Sequence, residues 1–197
     1  MLQDIPTPTR LEPHAAGCVL ETERLALRKP VLADARAIAH LANDRRIAEM
    51  TRRLPHPYSH EHAIDFVHSL RGGSDTVFLI EQNLRPIGMV GVDWRAPEQP
   101  ELGYWLGVAH WGQGFATEAA RAVIDFTFEE FNVAHLISSA RVANPASRNI
   151  LEKCGFQWIG VQLHRFEAIG SSTPVDCFKL SRSVWSSLKH WGTSTRR

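Results

Sequence analysis

The stretch His110-Trp-Gly-Gln-Gly-Phe-Ala-Thr-Glu-Ala-Ala-Arg121 decides the architecture. The apolar run Glu101-Leu-Gly-Tyr-Trp-Leu-Gly-Val108 precedes it, and the helix-like run Ala119-Ala-Arg-Ala-Val-Ile-Asp-Phe-Thr-Phe-Glu-Glu-Phe131 follows. Strand, glycine turn and helix together build an anion site, because the first-turn N–H groups lack intrahelical partners and the dipole end is positive. Gly112 and Gly114 let the backbone approach a phosphate with no Cβ in the way. A ligand bearing phosphates is therefore expected. A nucleoside-triphosphate loop needs a Lys after its glycines, and none follows here. A dinucleotide fingerprint needs a glycine where Thr117 stands. On its own, a glycine pair also serves turns that only reverse the chain.

Working outward, the pattern is that of one mixed α/β domain. Upstream, Glu23 to Arg28 alternates as a strand, and Asp34 opens a helix carrying Ile38 and Leu41. Pro55 and Pro57 break the chain. Ser59 caps a second helix to Leu70, expected to bury Ala63, Phe66, Val67 and Leu70, with Gly72-Gly73 as its stop. Strands are expected at Thr76–Ile80 and Ile87–Trp94 around the turn Gln82–Pro86, and again at Glu101–Val108. Downstream, strands are expected at Ala134–Arg141, Phe156–Leu163 and Val175–Leu180. Between the first two, Asn144 caps a helix that starts at Pro145 and ends at Gly155. Ser183–Trp191 reads as a short tail helix. The expected division is a loose lead-in over residues 1–18, a single domain over 19–186 and a tail over 187–197.

Bulk properties fit this. A chain of 197 residues with 44% hydrophobic and 22% charged residues has ordinary globular composition. A formal net charge of +1 gives no broad commitment to nucleic acid or anionic membrane, and neither is expected as a partner. Cys18, Cys154 and Cys177 are odd in number and far apart, which fits a reducing cytoplasm and gives no zinc site. Met1-Leu-Gln-Asp-Ile-Pro6 lacks the form of a signal peptide, and no apolar run reaches membrane-spanning length. A cytoplasmic protein is expected.

A second block, Asn144-Pro-Ala-Ser147-Arg-Asn-Ile-Leu-Glu-Lys153-Cys-Gly155-Phe156, adds the decisive resemblance. With Trp111-Gly-Gln-Gly114-Phe-Ala116 and the opening Glu21-Thr-Glu-Arg-Leu-Ala-Leu-Arg28, the chain resembles the GCN5-related N-acetyltransferase (GNAT) superfamily over about residues 19–186. The likeness is to the branch of the ribosomal-protein N-terminal acetyltransferases (RimJ/RimL-like). Trp111 departs from the Gln/Arg of the strict consensus but is usual in this branch. The resemblance implies a twisted, mostly antiparallel sheet of about six to seven strands, splayed where acyl-CoA binds and flanked by about four helices. It implies acetyl-CoA as co-substrate, no metal, a primary-amine acceptor and, as in many relatives, pairing into dimers through the last strands.

Residue by residue, the resemblance gives Leu106, Gly107 and Val108 the pantetheine arm, and the backbone of Gly112, Gln113, Gly114, Phe115, Ala116 and Thr117 the pyrophosphate. Gly107 alternatively makes room for a neighbouring side chain. Asn144 would contact pantetheine and Ser147 would protonate the leaving thiolate, while Asn-Pro-x-Ser also caps a helix whatever the enzyme does. Arg148 either reaches the phosphates or is a solvated helix charge. Glu101 is the first candidate base for the acceptor amine, ahead of Asp93 and Glu118, although many of these enzymes need none. Glu118 also suits a helix first turn through the dipole alone. His56, His60, His62 and His68 lack metal-ligand spacing and read as an acceptor rim or as solvent-facing. Cys154 reads as core filler, and no covalent acyl-enzyme signature is present. The expected function is acetyl transfer to an amine, favouring a protein N-terminal α-amine. The alternatives are a small-molecule amine (polyamine, aminoglycoside or amino acid) and a non-catalytic acyl-CoA sensor.

Overall fold

The computed structural model describes residues 19–70, 76–94, 96 and 98–194. The expected lead-in over 1–18, with Cys18, and the Gly72-Gly73 stop lie outside these residues. The expected strand Glu23–Arg28 is confined to β2 (Ala26–Arg28), and a further strand, β1 (Val19–Glu21), precedes it to make a hairpin. The reason is local: the Thr22 hydroxyl accepts from Leu25 N at 3.0 Å, and Thr22 N donates to the Leu25 carbonyl at 2.9 Å, which turns the chain. Helix α1 (Ala35–Ala42) follows a short 3-10 turn. Asp34 does not cap α1 with its side chain as expected. Its carboxylate takes both Arg28 Nη atoms at 2.8 Å and Val31 N at 2.8 Å, tying β2 to the helix entrance.

A short helix not anticipated from the pattern, α2 (Arg45–Ala48), starts at Asp44, whose side chain accepts from Arg46 N. Ser59 caps α3 (His60–Ser69) as expected. Ala63 and Val67 are buried there, whereas Phe66 and Leu70 are only partly so. Strands β3 (Thr76–Gln82) and β4 (Arg85–Asp93) meet at Asn83-Leu84, both in the left-handed region at φ 51° and 62°. Such a two-residue turn matches hairpin twist, so Pro86, expected in the turn, lies within β4 opposite a register shift at Ile80/Glu81.

The rest comprises β5 (Glu101–Leu106), α4 (Phe115–Glu130), β6 (His135–Arg141), α5 (Pro145–Lys153), β7 (Gln157–Phe166), β8 (Ser171–Ser181) and α6 (Arg182–Ser194). The hairpin of β7 and β8 is longer at both inner ends than its apolar core suggested, so the expected loop at 164–174 is mostly strand. Helix α6 contains the expected tail helix Ser183–Trp191 and extends it by one residue at its start and three at its end. The sheet order is β1-β2-β3-β4-β5-β6-β8-β7, antiparallel at every pair except β5–β6. It thus holds eight strands and six α-helices against the six to seven and four expected. The surplus comes from β1 and α2, three and four residues long and too short to carry a period, and from α6, which was expected as a tail helix outside the four.

Each face of the sheet has its own core. On one, Ala119, Ala120, Val123, Ile124 and Phe128 of α4 recur at helical spacing and pack on Leu27, Phe78, Val90 and Leu102. On the other, Ile38 and Ala42 of α1 and Ala63 and Val67 of α3 pack on Leu79 and Met89. No helix among the described residues is long and apolar enough to cross a membrane.

Candidate active site

Strands β5 and β6 pair at a single position, Glu101 with Ile137, and then diverge. Gly107 N donates to Ile87 O at 2.8 Å, which fixes the alternation between β4 and β5. Leu102, Tyr104 and Leu106 therefore turn their backbone groups toward β6 and the gap. Ser138 Oγ fills the narrow end by donating to Leu102 O at 2.8 Å. The wide end lies beside Tyr104 and Leu106. The Leu106 carbonyl accepts from Trp111 Nε1 at 2.8 Å, while the Gly107 and Val108 carbonyls accept from His110 N and Trp111 N. Of the three residues expected to meet pantetheine, Gly107 thus turns its N–H away, to Ile87 O, while Leu106 turns its N–H toward the gap, where Tyr104 joins it. A Cβ at Gly107 would lie 2.7 Å from Leu41 Cδ2, so this glycine does make room for a neighbour.

The wide end opens onto the glycine turn. Gly112 and Gly114 sit at φ 73° and 83°, and Gly114 is the N-cap of α4. Nothing lies within 4 Å of a Cβ placed on Gly112, so open space adjoins the turn. Glu118 N is the first in α4 with an i−4 partner, Gly114 O at 3.1 Å. The N–H groups of Phe115, Ala116 and Thr117 therefore point off the helix end, and the Phe115 ring is buried beneath them. Gln113 holds the turn through Nε2 to Ala109 O at 3.0 Å.

Sequence reasoning missed Arg24. Its Nη1 donates to Gln113 O at 3.0 Å, its Nε to Glu118 at 2.7 Å, and its guanidinium lies 4.6 Å above the Phe115 ring. Glu118 also accepts from Thr22 Oγ1 at 2.6 Å and Arg24 N at 2.9 Å. Burial alone would raise its pKa, but the bonds from Thr22 and Arg24 outweigh that and hold the carboxyl below its ordinary 4.5. Glu118 is thus committed to clamping the β1–β2 turn onto the head of α4. Because its folded pKa is depressed, its stabilisation is present above 4.5 and lost as the pH falls through the lower folded value. Glu118→Gln is expected to cost about 1–2 kcal/mol at neutral pH, with allowance for the exposed guanidinium, and less below pH 4. Thermal unfolding of both proteins across pH 3–7 checks this; a difference independent of pH would contradict it.

At the head of α5, Asn144 Oδ1 accepts from Ser147 N at 3.1 Å, so the capping role is present. Ser147 Oγ lies 3.0 Å from Tyr104 Oη, which also donates to Ser147 O at 3.2 Å. Burial pushes the Tyr104 phenol well above its ordinary value and outweighs the bond to Ser147 that lowers it, so the phenol keeps its proton. Tyr104, too, was missed. Arg148, whose side chain is 39% exposed, lies with Nη1 3.2 Å from the buried Asp176, whose other oxygen accepts from Trp158 Nε1 at 2.9 Å.

Glu101 stands apart from this group. Period-two alternation places it with Trp105 on the α1/α3 face of the sheet, opposite Tyr104 and Ser147. Its carboxylate pairs with Arg52 and accepts from Ser139 Oγ at 3.1 Å. Arg52 Nη1 lies 3.2 Å from His164 Nδ1, and burial followed by Arg52 lowers the His164 pKa, which keeps that imidazole neutral. Asp93, one of the alternative bases, pairs with Arg53 beside a cavity of about 490 Å³ that Glu101 also lines. His62 serves the α3 cap through Nδ1 to Ser59 N. Cys154 is buried, and burial raises its thiol to about 11. Among the described residues, no three His, Cys, Asp or Glu side chains are placed to share a metal ion.

Splayed parallel strands, a glycine-led helix head and a hydroxyl pair beside the gap are the parts of an acyltransferase. The chain belongs to the GNAT acetyltransferase family, whose acetyltransferase (GNAT) domain matches residues 24–157. It is 30% identical over 169 residues, 82% of this chain and 94% of the other, to the uncharacterized N-acetyltransferase p20 of Bacillus licheniformis. It is 29% identical over 86 residues, 43% of this chain and 48% of the other, to the ribosomal-protein-serine acetyltransferase of Escherichia coli (strain K12). Among solved structures, RimJ of Mycobacterium smegmatis in complex with CoA-disulfide superposes with a TM-score of 0.72 at 20% identity, covering 85% of this chain and 89% of that one. Family and fold are thus those the sequence resembles.

Proposed function

We propose that this protein transfers the acetyl group of acetyl-CoA to a primary amine by direct attack, with a protein N-terminal α-amine as the favoured acceptor. The observation that carries the proposal is the single-pair contact of β5 and β6, whose open end meets the head of α4 on one side and the Tyr104–Ser147 pair on the other. The pyrophosphate fits the N–H groups from Gly112 to Thr117, and the pantetheine arm fits the Tyr104 and Leu106 edge as an added strand. The amine nitrogen bonds to the thioester carbon and the C–S bond then breaks. Ser147 Oγ, hydrogen-bonded to Tyr104 Oη, gives its proton to the departing sulfur, and the proton that the amine releases makes up for it through solvent. The amine enters from the Glu101 face and loses its proton there, to Glu101 or to water. Asn144 adds a polar contact at the α5 head. Strand β7 is the open sheet edge through which a dimer of the kind seen in relatives would form.

Thiol release from acetyl-CoA tests the proposal against two pools, short peptides with free N-termini and small amines including polyamines and aminoglycosides. Turnover with peptides is expected. Turnover with small amines alone would move the acceptor to metabolism or detoxification, and silence in both with acetyl-CoA still bound would favour the sensor reading.

A further inference from the structure

We propose that the acceptor carries an anionic group close to its reacting amine, and that Arg165 receives that group; this rests on the acetyltransferase reading above. The cavity beside Glu101 is walled by three guanidiniums, Arg52, Arg53 and Arg165, and three carboxylates, Asp93, Glu101 and Glu167. Two of the cations are already matched, Arg52 by Glu101 and Arg53 by Asp93. The Arg165 side chain has neither a carboxylate partner nor a hydrogen bond among the described residues, while its backbone is held in the sheet. It lies on β7 opposite Ser172, and Glu167 N, two residues on, donates to Arg52 O at 3.1 Å. That bond ties the β7–β8 turn to the segment carrying Arg52 and Arg53, so the three arginines share one wall.

With two internal ion pairs discounted, Arg165 and Glu167 remain, one charge of each sign. Their complement is a zwitterion-like acceptor, with the amine on the carboxylate side and a carboxylate on Arg165. A guanidinium suits such a partner because its planar fork binds a carboxylate through two parallel bonds. A polycation is a poor fit, because beyond Glu167 its further amines would find no unmatched carboxylate in the wall and would meet the unmatched Arg165. The acceptor class is therefore an acidic peptide N-terminus or an acidic amino acid, not a polyamine or an aminoglycoside.

The test is a competition among acceptors in the thiol-release assay: the tripeptides Ala-Asp-Ala, Ala-Ala-Ala and Ala-Lys-Ala, free aspartate and spermidine. The protein is expected to prefer Ala-Asp-Ala to Ala-Ala-Ala by about tenfold in kcat/KM, the size of one charge-assisted contact at a half-open site. Arg165→Gln is expected to bring that ratio near one, and Arg165→Glu to favour Ala-Lys-Ala. Acetyl-CoA affinity, read by direct titration, verifies that each variant folds. Comparable use of free aspartate assigns the site to amino acids, and its rejection beside good use of Ala-Asp-Ala assigns it to peptides; either supports the proposal. Preference for Ala-Lys-Ala or spermidine by the unaltered protein, or an acidic-to-neutral ratio unmoved in Arg165→Gln, overturns it while leaving acetyl transfer intact. Silence with every acceptor would instead defeat the acetyltransferase reading, and the proposal with it.

Discussion

Ser147→Ala lowers kcat by about a hundredfold while acetyl-CoA affinity changes by less than about twofold, if the hydroxyl supplies the proton that the thiolate takes. The backbone supports this separation. Ser147 N keeps its bond to Asn144 Oδ1 in the alanine variant, so the α5 cap survives and only the hydroxyl is lost. Tyr104→Phe removes the group behind that hydroxyl and is expected to cost about tenfold, because Ser147 then lacks the hydrogen bond that orients it but still faces the sulfur. In the double variant the losses should not multiply: once Ser147 is gone, Tyr104 has no partner through which to act, and the cycle closes near the Ser147→Ala value. The Tyr104→Phe deficit is also expected to be flat with pH up to the ordinary phenol value of 10, since burial keeps Tyr104 protonated throughout that range. Steady-state kinetics on the three variants, with acetyl-CoA titrations, decide the matter. Full turnover in both single variants would remove the role of this pair altogether, and multiplying losses would separate Tyr104 from Ser147.

The parts of this site legible in the sequence are those whose geometry is local. Gly112 and Gly114 announce left-handed backbone, and Asn144-Pro145 announces a helix start, because in each case the residue itself restricts the chain. What escaped depends on register. Tyr104 lies 43 residues from its partner Ser147, and only the odd-even alternation of β5 sends its ring to that face while Glu101 goes to the other. The acid and base that the resemblance implies, Ser147 on α5 and Glu101 on β5, therefore lie on opposite sides of the sheet. Glu118 shows the same limit. As a first-turn carboxylate it could be read as a base or a dipole partner, but its real environment is set by Thr22 and Arg24, 96 and 94 residues away. Arg148 was weighed between phosphate and solvent, and neither choice contained Asp176, which β8 brings to it. The counting errors arise from side chains acting below the reach of periodicity. One Thr22 hydroxyl turns a three-residue strand back onto β2, and one Asp44 carboxylate starts a helix of four residues.

Gly88→Ala is expected to be the most damaging single-methyl change in the sheet, although nothing in its sequence context marks it. A Cβ on Gly88 would lie 2.3 Å from Trp105 O and 2.9 Å from Leu106 Cα, backbone atoms of the neighbouring strand, and 2.7 Å from Leu106 Cδ2. A side chain can rotate away from such a contact; a paired backbone cannot, so β4 and β5 must part. The expected cost is about 3 kcal/mol or more, at the upper end for overpacking, and a fall in Tm of roughly 6–12 °C for a chain of this size. Gly103 on β5 supplies the contrast, since it is also a mid-strand glycine but a Cβ there would meet nothing within 4 Å. Gly103→Ala should therefore be neutral or stabilising by about 0.5–1 kcal/mol, through the lower entropy alanine loses on folding. Thermal melts of the two variants side by side make the comparison. Equal stabilities would mean that the β4–β5 approach is not close. If Gly88→Ala alone collapses, the penalty falls beside the proposed site: Leu106, which it would displace, turns its N–H into the gap to which the proposal assigns the pantetheine arm.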